Sequence, residues 1–326
     1  MSSRAQRGGC PPTTNPSAVG NATNIYRGDY VDQYDKQDWW RQLFDTHRSM
    51  LREIFSRVIF ALLWTGAVFY VHIRWTPLDV PNVTHIIVGG FLSLLLVFRT
   101  NSSYDRFWEG RKMWGGINNE SRNLARLCDV HLAAEPALRK STLLWAIELP
   151  WSIMHALRHT EWTSTTLPAD QVEAVSRSAH VPLAVCRKIT ALLKTARDKG
   201  VISDWVMVSI DANLQQIVDY LGACERIHKT PLPFAYVVHL RRALVLYIYA
   251  LPFSLLSSFG WETFPAMFLI SFVLFGIEEI GVELEDPFGK NPNHLSLELY
   301  CHGIQKVLSD VLENGEASMA GAPPPR

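Results

Sequence analysis

From Val83 to Phe98 the chain reads VTHIIVGGFLSLLLVF, without a formal charge, and from Arg99 it turns to RTNSSYDRFWEGRKMW. No proline or other helix-ending signal marks the switch. The pattern predicts one long helix that leaves an apolar medium at Arg99 and continues into water. On a 3.6-residue period Val83, Ile87 and Phe91 share a stripe, while Gly89, Gly90 and Ser93 give small surfaces for close packing.

Three more apolar runs have similar length. Val58 to Val71 extends through Ile73 and Trp75, with His72 and Arg74 near its end, and is long enough to span with Arg74 snorkelling to the interface. Val237–Phe259 and Phe264–Val282 are joined by a short GWET turn, with Arg241 and Arg242 near one end and Glu278 and Glu279 near the other. Such charges belong at membrane faces or toward a water-filled interior, because charge in lipid is costly. Four spans in two hairpins are expected, the first turned by WTPLDVPN with its two prolines. Before the first span, Trp39–Arg57 alternates arginines with Trp39, Trp40, Leu43, Phe44, Leu51 and Phe55, as an interfacial amphipathic helix does. Lys and Arg crowd both outer flanks of the first hairpin and avoid its internal loop, which puts both termini in the cytoplasm.

Between the hairpins the periodicity is that of a soluble helical block. Val206, Ile210, Leu214, Ile217 and Leu221 form one stripe behind Ser203 as N-cap, and Gly200 closes the preceding helix. Leu143–Leu157, broken by Glu148 and Pro150, reads as a buried core helix. The resulting division is a tail over 1–38, an interfacial helix and first hairpin over 39–98, and a cytoplasmic helical domain over 99–232. A second hairpin over 233–282, a cytoplasmic segment over 283–312 with a helix near Leu295–Leu312, and a tail over 313–326 complete it. The fold class is all-α.

Composition narrows the function. The 326 residues are 48% hydrophobic with a formal net charge of zero, so there is no basic excess to draw nucleic acid. The five cysteines are scattered and form no CxxC pair, which reads as reduced thiols and neither a disulfide framework nor a zinc site. No P-loop, nucleophile elbow, HExxH or dinucleotide fingerprint occurs, so no enzyme and no cofactor is expected. His155 and His159 stand at i, i+4, but no further histidine or acid has the spacing of a third ligand, and they read as structural. The acids Glu278, Glu279, Glu283, Glu285 and Asp286 read as salt-bridge partners for Arg99, Arg106 and Arg111, or for a neighbouring subunit, with Asp105 and Glu109 completing a sign-alternating network.

Two motifs in order, FRTNSSYDRFWEGRKMW at 98–114 and GIEEIGVELEDPFG at 276–289, resemble the bestrophin family of ion channels in its bacterial and plant-chloroplast branch. The resemblance covers roughly residues 40 to 312. It implies a homopentamer in a lipid bilayer that passes chloride or other small anions along its axis. Counting back from Arg99, it implies that Val83, Ile87 and Phe91 form the pore neck; the bland reading has them packing on the other spans. It also places Val206 at a second, cytoplasmic aperture, where an ordinary core valine is the competing reading. The family's animal members carry two aromatic rings in the neck, whereas here Phe91 stands alone. They also hold calcium on acids just after a Pro-Phe-Gly turn; here Lys290, Asn291, Pro292 and Asn293 follow, so no metal site is expected there. A bacterial inner membrane fits better than a plastid thylakoid. Two alternatives stay open: a Na⁺ or K⁺ channel of the same build, and a membrane-anchored interaction protein that conducts nothing.

Overall fold

The computed structural model describes residues 50–75 and 81–320. The tail 1–38, the part of the interfacial helix before Met50, the middle of the first inter-span loop and residues 321–326 lie outside the described residues. Within them the chain is helical. In order come α1 (Leu51–Arg74), α2 (Asn82–His131), α3 (Pro136–Leu157), α4 (Ala169–Ser176) and α5 (Val181–Asp198). They are followed by α6 (Asp204–Lys229), α7 (Phe234–Phe259), a 3-10 turn (Gly260–Glu262), α8 (Thr263–Glu285) and α9 (Leu297–Ala320).

The 50-residue helix α2 ties the molecule together. Its N-terminal half buries Leu92 and Leu96 in one core with Ile54 and Val58 of α1, Leu244 and Ile248 of α7, and Met267 and Phe275 of α8. Its C-terminal half buries Trp114, Ile117 and Leu124 in a second core with α3, α5, α6 and α9. The helix crosses from one core to the other without a break. The same continuity is what the absence of a breaker at Arg99 predicts.

Helices α1 and α2 are consecutive in sequence but do not pack on one another; α7 and α8 each lie against both. The first two helices are therefore consecutive in the chain without being neighbours in the fold. Chain order identifies a turn but not a neighbour, and the later pair wedges between the earlier two. By length and mean hydropathy, α1 and α2 qualify as membrane spans.

In the second core α3 is buried along nearly all its length, Pro150 included. The charge of Glu148 is tolerated there because Trp162 Nε1 donates to it at 3.3 Å, as do the hydroxyls of Ser164 at 2.5 Å and Thr166. Ser203 accepts from the Val206 N–H at 3.3 Å, capping α6 as its sequence foretells. Gly200, at φ 74°, ends the approach after α5 in a conformation that side chains resist. Where α2 crosses α6, a Cβ at Gly116 would sit 2.5 Å from the Tyr220 ring, so any larger residue there must displace that ring. Helix α9 runs on to Ala320, past the Leu312 end that the sequence indicates.

Candidate functional site

Two faces of α2 have opposite fates. Leu92, Leu96, Arg99 and Ser103 recur at helical spacing and are buried against α7 and α8. Val83, Ile87 and Phe91 lie round the other side, where they are 65%, 54% and 66% exposed in the protomer. Ile86, Leu94, Val97 and Phe98 are exposed beside them. Gly89 lies toward the packed side, where a Cβ would meet the Tyr247 hydroxyl of α7 at 2.5 Å. Among the described residues, then, no helix packs over the stripe. Leu95, one turn on, is partly buried against the first core, with α1, α7 and α8.

Directly below, the arginine that ends the apolar half is held in place. Arg99 is 1% exposed, and its Nη1 donates to Glu278 Oε1 of α8 at 2.7 Å. The same carboxylate accepts from Arg241 Nε of α7 at 2.8 Å and from Arg57 Nη1 of α1 at 3.0 Å. Arg57 also reaches Glu279 Oε2 at 2.8 Å, and Arg99 Nη2 lies 3.9 Å from Glu285. One carboxylate thus gathers an arginine from each of the other three helices. Arg57 and Arg241 are members that the sequence reading did not name for this role. Their one signal was an arginine at the same helix end as the acids.

The rest of the expected network divides differently. Arg106 bonds backbone carbonyls: Glu285 at 3.1 Å, Ile227 at 2.6 Å and Thr230 at 2.5 Å. It thereby caps the C-terminal ends of α6 and α8, where unsatisfied carbonyls concentrate negative potential. Glu109 pairs with Arg226 at 3.2 Å, and Arg111 stacks over the Tyr300 ring at 4.8 Å. Asp105 is exposed and stands outside the network. Glu283 meets Asn291 Nδ2 at 3.3 Å and His294 Nε2 at 3.6 Å, while Asp286 faces His228 Nδ1 at 3.5 Å. Within the protomer neither acid pairs with the Arg99–Arg111 segment: Glu283 is met by Asn291 and His294 of the chain that follows α8 and Asp286 by His228 of α6, while the Phe288 side chain packs against α2. That ring is fully buried against Gly110, where a Cβ would approach to 3.1 Å.

Val206 is partly buried and packs on the second core, one turn from the fully buried Ile210. Its neighbours Trp205 and Val208 are exposed. His155 and His159 do not come together: His155 Nδ1 faces the Thr160 hydroxyl at 2.8 Å, and His159 turns to His228. Burial, with Arg158 nearby, holds the His155 imidazole below its ordinary value of 6.5.

The family model for the bacterial/fungal bestrophin protein matches residues 32–310. A voltage-dependent anion channel-forming protein of Nostoc is 35% identical over 283 residues, which is 85% of this chain and 92% of that relative. One of the same description from Ralstonia nicotianae is 32% identical over 86% of this chain and 94% of its own length. The crystal structure of a bacterial bestrophin homologue from Klebsiella pneumoniae aligns with a TM-score of 0.75 at 28% identity, covering 79% of this chain and 98% of that one. An all-helical fold, the continuous α2 and both motifs thus fall inside one matched region, and the chain belongs to the bestrophin family of membrane proteins.

Proposed function

We propose that the protein is a passive anion channel, assembled as a homopentamer with the outward stripe of α2 facing its axis. The single observation that carries this reading is that stripe. Val83, Ile87 and Phe91 are apolar, aligned, and left exposed by a protomer whose α2 is buried on its other side. The relatives' descriptions as anion channel-forming proteins favour anions over Na⁺ or K⁺ and over a silent scaffold. The spans are α1, the apolar half of α2, α7 and α8. The first two are long and apolar enough, and the other two share their core and are uncharged from Ala243 to Phe259 and from Thr263 to Ile277. The block built on α3–α6 and α9 is the cytoplasmic domain, with both termini on the same side in a bacterial inner membrane.

In this arrangement each subunit sets one copy of the stripe into a ring. A narrow apolar ring resists flow by dewetting, and widening or wetting it lets ions pass. The edges of the Phe91 rings carry partial positive charge and favour an anion over a cation. Arg99 sits on the packed face and is neutralised by Glu278, so its charge serves the position of α2 and is not a selectivity element. Val206 narrows the lower end of the path if α6 turns its exposed N-terminal turn, with Trp205 and Val208, to the same axis.

A thiol placed at Ile87 tests the reading. The protein's own Cys128, Cys186 and Cys224 thiols are pushed up to about 12 by burial, and that of Cys301 is pushed up as well, so they stay protonated and unreactive. In a Cys10→Ser background, a charged thiol reagent added in water should change the current of Ile87→Cys and leave Leu92→Cys unchanged. Protection of Ile87→Cys, or modification without any change in current, contradicts a neck at this position.

A further inference from the structure

A cavity of roughly 850 Å³ lies between the loop after α3 and the C-terminal turns of α6, and the channel reading leaves its histidines unused. His159 and His228 meet at its wall with their Nε2 atoms 3.0 Å apart and ring planes tilted by 48°. Behind His228, its Nδ1 faces Asp286 Oδ1 at 3.5 Å. A carboxylate on that side favours the tautomer with the proton on Nδ1, which leaves the Nε2 lone pair pointing at His159. His159 also has φ 51°, and no other non-glycine described residue has a positive φ. It is the residue after the C-cap of α3 and closes that helix in a Schellman turn, with the Thr160 N–H donating to His155 O at 3.0 Å and the His159 N–H to Ala156 O at 3.3 Å, which fixes the ring where it meets His228.

We propose that His159 and His228 are the protein ligands of a site for a transition-metal dication of the zinc, nickel or copper class. Asp286 orients His228 from behind, and water fills the coordination positions toward the cavity. Imidazole nitrogen suits these metals, whereas calcium and magnesium demand oxygen. Two nitrogens 3.0 Å apart, each about 2.0–2.1 Å from a shared ion, subtend about 94° at it. That is the angle between neighbouring ligands of a square-planar or octahedral ion, and a small opening reaches the tetrahedral value. No group of three or more His, Cys, Asp or Glu side chains converges among the described residues, so the site is open and weaker than a closed structural one. The i, i+4 spacing of His155 and His159 misdirects a search of the sequence, because the true partner lies 69 positions further on. The competing account of the pair is an N–H···N hydrogen bond.

Calorimetric titration of the untagged, metal-free, full-length protein distinguishes the two. Zinc chloride and nickel chloride should each show one saturable site per chain, and calcium and magnesium chloride none. His159→Asn, which keeps a residue tolerant of left-handed backbone, and His228→Gln should each weaken zinc binding at least about tenfold. Asp286→Asn should weaken it about 10–100-fold, as loss of a ligand's supporting carboxylate does. His155→Gln should bind as the wild type does. Zinc should raise the melting temperature of the wild type and not that of His159→Asn, which in metal-free buffer should melt no lower than the wild type. Absence of saturable zinc binding by the wild type overturns the proposal. So does undiminished binding by both histidine variants, or a melting temperature of metal-free His159→Asn well below that of the wild type.

Discussion

Glu278 accepts from three arginines on three helices while Arg99, its closest partner, is shut off from solvent. Removing one member of a buried pair leaves an uncompensated charge, which typically costs about 3–5 kcal/mol. Glu278→Ala should therefore lower the thermal midpoint of the detergent-solubilised protein sharply. Arg241→Ala removes a partner that is about half exposed and leaves Glu278 with Arg99 and Arg57, and it should cost no more than about 1 kcal/mol. Comparable melting temperatures for the two variants would show that Glu278 is not the centre of the node. Farther out, the neutral His155 makes the fold sensitive to acid. Its folded value is depressed by burial and by Arg158, so its contribution is fully present above the ordinary 6.5. As pH falls below that, the unfolded chain takes up the proton before the folded chain does, and stability drops. Glu225 adds in the same direction at lower pH: burial raises its value, but hydrogen bonds from Lys229 and His180 outweigh this and hold the carboxyl below the usual range. Melting curves from pH 8 to 5 should fall for the wild type and fall less for His155→Gln. An equal fall in both would remove His155 from the account.

At the scale of elements, α2 was the most legible feature and its surroundings the least. A continuous apolar-to-charged helix follows from local pattern, since nothing between Phe98 and Arg99 ends it. The cap at Ser203, the stop at Gly200 and the buried helix around Pro150 were legible for the same local reason. The placement of α7 and α8 between α1 and α2 was not, because any apolar face accepts any other and only the three-dimensional fit of all four selects neighbours. Arg57 and Arg241 converge on Glu278 through that placement, so their role was hidden with it. The two faces of α2 yield opposed predictions. Leu92→Ala and Leu96→Ala open cavities in a packed core and should each cost about 2–5 kcal/mol in thermal or denaturant unfolding. Ile87→Ala and Phe91→Ala remove exposed atoms and should leave the protomer's stability and assembly unchanged, while single-channel conductance or open probability rises. Loss of stability at Ile87 or Phe91 without a gain in current would return the stripe to the core.

At the scale of the molecule, the stripe of one protomer can enclose a path only when several copies are set around a common axis. Mass measurement in detergent should give one species of about five copies, the number implied by the family; a stable monomer or dimer would contradict a central pore. Calcium should not be required for opening. Lys290–Asn293 bring a positive charge where acids would be needed, and Glu283 and Asp286 already face Asn291, His294 and His228. Currents that vanish on chelation and return with micromolar calcium would overturn that statement. The central claim is anion conduction, and the most direct measurement is the reversal potential of the purified protein in a planar bilayer under a KCl gradient. The account predicts a current that reverses near the equilibrium potential of chloride. Reversal near that of potassium, with the opposite sign, or the absence of any current from intact oligomers would contradict it.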